Sequence, residues 1–147
     1  MLSFSLGQSA LAATYYVRTD GGTGAQCTGL VDAAYSGSGT GQACAFAHPA
    51  WALGTSGSAG KMAGGDTLIL SQEQYMIGYG MPNNPDGSSD YAYDSVLNAP
   101  PAGPSSTNKT KIYGKGYDTN CSGTKAQLWG TQRANQVLTI GSNTEVS

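Results

Sequence analysis

Charged side chains are scarce in this sequence: 7 Lys+Arg and 9 Asp+Glu in 147 residues, 11 % of the chain, where soluble domains carry about a quarter. That scarcity argues against helical bundles and coiled coils, whose solvent faces are built from Glu, Lys and Arg. It also argues against nucleic acid as a partner. A net charge of -2 and a pI near 5.0 leave no basic stripe to neutralise phosphates. Long apolar runs are missing too, and none reaches the roughly 18 residues that span a bilayer, so no membrane span is expected. Histidine occurs once, at His48, and there is neither a Cys-x-x-Cys nor a His pair, the patterns that hold zinc. A Gly-x-Ser-x-Gly nucleophile elbow and a P-loop are likewise missing.

Glycine, in contrast, supplies 22 residues, about twice its ordinary share. A single domain's length with much glycine and little charge describes a strand-rich, loop-rich chain. Residues 1–13, MLSFSLGQSALAA, are small and apolar without one charge, and Ala10-Leu11-Ala12 makes an A-x-A pattern. This resembles the apolar and cleavage regions of a secretory signal peptide, with cleavage expected after Ala12 or Ala13. The basic start of such a leader is missing, so the leader is expected to begin upstream of Met1. The alternative is an apolar N-terminal segment packed in the fold. Export would place the protein outside the cell, secreted or at the cell surface.

Tyr15-Tyr16-Val17-Arg18, closed by Asp20-Gly21-Gly22, predicts a strand and turn. Residues 20–44 read as a loop rich in Gly, Ser and Thr, bounded by Cys27 and Cys44. Residues 45–53 suit a short helix with Pro49 in its first turn, ended by Gly54. Thr67 to Leu70 and Gln74 to Gly78 predict strands. Residues 81–107 hold all but one of the six prolines and predict a long irregular excursion. Lys111 to Gly114, Ala126 to Trp129 and Gln136 to Ile140 then repeat a short strand and a turn. The 25-residue offset from Lys111 to Gln136 is close to one layer of a solenoid.

Taken together, the opening Tyr15-Tyr16-Val17, the helix over 45–53 and the turn Gly65-Asp66-Thr67 before Leu68-Ile69-Leu70 resemble the start of a right-handed parallel β-helix protein. The family is the pectate-lyase-like superfamily, and the segment ending in Tyr75 is similar to the one that closes its first coil. Gln72-Glu73-Gln74 departs from it, standing where the family commonly has a Pro-Gly pair. The resemblance covers residues 14–80 and, more loosely, 111–147. It implies an all-β solenoid with a short N-terminal capping helix: leader 1–13, cap with its cysteine loop 14–64, and first coils 65–147 with an insertion at 81–107. A small antiparallel β-sandwich is the alternative fold.

In an exported protein Cys27 and Cys44 are expected to form a disulfide, worth on the order of 3 kcal/mol for a loop of this size; two free thiols are the alternative. Cys121 is left over, to pair with a further part of the protein, to pair between chains, or to stay a buried thiol. His48 is expected to be structural. Asp86, Asp90 and Asp94 recur at every fourth residue in a Gly/Ser/Asn-rich stretch and offer oxygens to calcium, although a solvated acidic loop is the commoner case. Tyr91, Tyr93 and Trp129 are candidates to stack on sugar rings, with Trp129 more readily placed in the core or in the stacking between coils. Asn108-Lys109-Thr110 and Asn120-Cys121-Ser122 match the glycosylation pattern.

No set of residues here forms a catalytic constellation. The expectation is therefore an exported β-helix piece that is non-catalytic as it stands, a surface, matrix or assembly element. It would self-associate through its open C-terminal coil or continue into a further C-terminal part. The alternative is the N-terminal part of a polysaccharide lyase or glycoside hydrolase whose active site lies on later coils. Fold alone does not separate the two.

Overall fold

The computed structural model of the chain describes residues 11–55, 58–78, 80–82, 96–117, 124–131 and 136–147. In chain order the elements are β1 (Thr14–Gly22), the helix α1 (Pro49–Leu53), and the two-residue strands β2 (Gly54–Thr55) and β3 (Ser58–Ala59). β4 (Thr67–Leu70), β5 (Gln74–Ile77), β6 (Thr110–Gly114), β7 (Gln127–Gly130) and β8 (Thr144–Val146) follow. Among the described residues strands dominate and the one helix is five residues long, so the fold is all-β. The main sheet has the order β1-β4-β6-β8, and β5 pairs with β7 in a second sheet. Every pairing in these two sheets is parallel. Among the described residues the antiparallel sheets of a β-sandwich are not present, and the one antiparallel strand pair is the short β2–β3.

Alternation explains which side chains enter the core, because successive residues of a strand point to opposite faces. In β4, Leu68 and Leu70 are buried while Thr67 and Ile69 are partly exposed. The register then stacks like on like: Tyr15, Leu68, Ile112 and Val146 share one row. Tyr75 and Ile77 of β5 are also buried and belong to the same core. Each fully buried aliphatic side chain contributes about 1.5–3 kcal/mol, so the stacked rows carry most of the stabilisation.

Between the two sheets the chain turns at Ser71–Glu73. Glu73 accepts the Thr19 N–H (2.8 Å) and the Thr19 hydroxyl (2.6 Å), together with the Ser71 hydroxyl. The Tyr75 hydroxyl donates to the Val17 carbonyl (3.0 Å). This corner therefore fixes β5 against β1. Side-chain acceptors hold the turn.

Two expectations are corrected. The helix begins at Pro49 rather than at residue 45: the His48 backbone is extended (φ -156°, ψ 146°), and Pro49 occupies the first turn, where its missing N–H costs nothing. The strand expected over 136–140 does not form. Val137 and Leu138 pack partly buried against the core, but the edge beside β6 is taken by Thr144–Val146. Asn143 turns the chain there with φ 51°, a left-handed conformation that Asn tolerates, and its carbonyl accepts the Thr110 N–H (3.0 Å). In the excursion at 81–107, Met81 and Leu97 are buried and Leu97 bridges Thr55.

Candidate functional site

The two edges of the main sheet differ, and the difference defines the candidate site. Beyond β1, the segment from Thr28 to Ala47 covers the edge. The Tyr16 N–H donates to the Gly29 carbonyl (2.8 Å), the Gly22 N–H to Ala45 (3.0 Å), and the Ala47 N–H returns to Gly22 (2.7 Å). Phe46 bridges Val17 and Gly22, is fully buried, and stacks against Tyr15 with ring centroids 6.1 Å apart. The cover fits closely. Gly29 has φ +78°, and a Cβ there would run into the Phe46 ring.

Cys27 and Cys44 form the expected disulfide, with Cα atoms 5.1 Å apart and both residues buried. It holds the two ends of the cover together, where the Gly29 N–H donates to the Cys44 carbonyl (2.9 Å). Asp32 anchors the cover from outside, accepting from Lys115 (2.6 Å) and Arg18 (3.2 Å). The Lys115 hydrogen bond, with that of Arg18, keeps the Asp32 carboxyl below the usual carboxylate range, against the opposing effect of burial.

His48 takes the structural role expected of it. Its Nδ1 accepts the Ala50 N–H (3.1 Å), capping α1, and its Nε2 lies 2.9 Å from the Met76 carbonyl. That arrangement requires the neutral tautomer with the proton on Nε2. Burial pushes the imidazole pKa down to about 4.

At β8 and β7 no strand follows among the described residues. A hollow of about 230 Å³ opens there, lined by Leu70, Ile112, Leu128 and Val146, with Lys115 and Lys125 on its wall. Val146 ends the inward row and is 48 % exposed. This end presents backbone groups and apolar side chains together, the two things a further strand would pair with and cover.

Trp129 lies opposite Met76 in the β5–β7 register and is 46 % exposed, so it stacks between neighbouring strands at the surface rather than entering the core. Tyr91 and Tyr93, the calcium candidates Asp86, Asp90 and Asp94, and Cys121 lie outside the described residues. Among the described residues no group of His, Cys, Asp and Glu is placed to hold a metal ion, and no helix is long and apolar enough to cross a membrane. Asp32 and Glu73 carry no motif in the sequence that marks these roles. Their partners lie far along the chain, so no local spacing announces them. Compared with known proteins, the chain matches no family model, no curated sequence and no solved structure.

Proposed function

We propose that this chain is the opening of an exported right-handed parallel β-helix, in which residues 14–64 close one end and the coils from residue 65 form a surface, matrix or assembly element. The observation that carries the reading is the row Tyr15, Leu68, Ile112, Val146, kept in register through four parallel strands taken in chain order. Each passage through β4–β5 and β6–β7 gives one strand to each sheet, as a coil does. Right-handedness follows from the strong preference of parallel crossovers. The resemblance to the pectate-lyase-like superfamily supplies the same architecture. A buried disulfide is compatible with an extracellular location.

Because the β1 edge is filled and the β7–β8 edge is open, a further strand adds at one end only. A second copy of this chain joins like end to like end, giving a closed pair rather than a fibre. The second reading, the N-terminal part of a polysaccharide lyase or hydrolase, is favoured by the exposed Trp129 ring, a face suited to sugar C–H surfaces. Fractionation of the native source tests the first reading, which expects the protein in the medium or the cell-surface wash with Cys27 and Cys44 oxidised. A reduced protein in the cytosol overturns it. Retention on an insoluble polysaccharide that is lost in Trp129→Ala would favour the second.

A further inference from the structure

Asp66 is the one buried carboxylate among the described residues, 5 % exposed at the entry to β4. Its Oδ1 accepts the Ala13 N–H and its Oδ2 the Ala63 N–H, both at 2.7 Å. The ion pairs among the described residues use Asp20, Asp32 and Glu145, and none reaches Asp66. Two neutral donors orient the charge without cancelling it, and a buried charge without a counter-ion is costly.

The N–H that Asp66 holds belongs to the residue just after Ala10-Leu11-Ala12. We propose that proteolytic processing cuts between Ala12 and Ala13, and that the new α-ammonium of Ala13 is the cation that pairs with Asp66. The inference rests on the export reading. Water adds across the Ala12–Ala13 peptide bond: its hydroxyl goes to the Ala12 carbonyl carbon, which leaves as the carboxylate of the leader. The Ala13 nitrogen takes up the protons and becomes an ammonium. A neutral hydrogen bond becomes a charge-assisted one at the same atoms.

The structure also chooses between the two sites that the A-x-A pattern allows. Ala13 is held at both of its backbone groups, since its carbonyl accepts the Thr67 N–H (2.9 Å) at the start of the β1–β4 ladder. A cut after Ala13 would remove both contacts. Leu11 and Ala12 contribute little to the fold, with Leu11 96 % exposed. They border a hollow of about 330 Å³ beside Asp66 and Asn108, which leaves room for water on the two remaining ammonium donors.

Two measurements test this. Intact mass and N-terminal sequencing of the exported protein are expected to place the terminus at Ala13. In exported material a terminus at another residue overturns the proposal and leaves export standing, whereas a protein found only inside the cell with residues 1–12 retained overturns both. Separately, thermal unfolding compares three chains released from a cleavable tag: one starting at Ala13, the same chain Nα-acetylated, and one starting at Thr14. The Ala13 chain is expected to melt highest and to lose that advantage on acetylation; the Thr14 chain is expected to melt lowest. Equal midpoints for the free and acetylated Ala13 chains overturn the ion pair. The D66N variant is a second check, since it should abolish the difference made by acetylation; if the difference persists, Asp66 is not the partner.

Discussion

His48 and Glu73 show how single side chains tie distant segments of this fold together. The buried imidazole is neutral in the folded protein, with its pKa held down to about 4 by burial, against about 6.5 in an unfolded chain. Between these values the unfolded state binds the extra proton, so stability is full above about pH 6.5 and falls as the pH drops toward 4. The loss is on the order of 3 kcal/mol. Denaturant unfolding across that window should show the slope, and His48→Asn, which keeps a capping acceptor, should flatten it. For Glu73, burial acts to raise the carboxyl, but hydrogen bonds from Ser71 and Thr19 outweigh it and hold the group below its usual range. Its contribution is likewise lost as the pH falls, in the lower carboxylate window. Glu73→Ala should destabilise by about 1–3 kcal/mol, because it leaves its donors without an acceptor; equilibrium unfolding at neutral pH checks this, and an unchanged midpoint would remove the corner from the account. The lone histidine was legible as structural. Glu73 was not, since its role depends on Thr19, far back in the chain.

The strands around Tyr15, Thr67, Gln74, Lys111 and Gln127 were legible because each joins β-branched or aromatic residues to a turn signal, and each found a parallel neighbour. The run Gln136 to Ile140 has the same composition and forms no strand, because pairing is decided by which segment reaches the edge of β6. Asn143 delivers Thr144–Val146 there instead. Composition marks a segment that is able to pair; it does not identify the one that does. The cover of β1 was legible only as a loop between two cysteines, since its hydrogen bonds come from irregular backbone. Cys27→Ser with Cys44→Ser should cost on the order of 3 kcal/mol and raise amide exchange at Tyr16 and Gly22 before it does at Leu68. Simultaneous loss of protection at all three would mean that the cover and the sheet form one cooperative unit.

Among the described residues, a covered edge at β1 and an edge at β7–β8 with no further strand give the fold a direction. Sedimentation of the 147-residue chain over a wide concentration range is expected to show a monomer passing to a dimer and stopping there. Val146→Lys, which sets a charge on the open row, should hold it monomeric. Assemblies larger than a dimer, or a dimer indifferent to that substitution, would place the contact elsewhere. The central claim, however, is the stack of parallel coils, and nuclear Overhauser contacts between neighbouring strands test it most directly. The account predicts that Ile112 contacts Leu68 on one side and Val146 on the other, that Leu128 contacts Tyr75, and that β4 and β5 share no ladder. Antiparallel contacts joining Thr67–Leu70 to Gln74–Ile77 as a hairpin, with Leu68 and Ile112 apart, would contradict it.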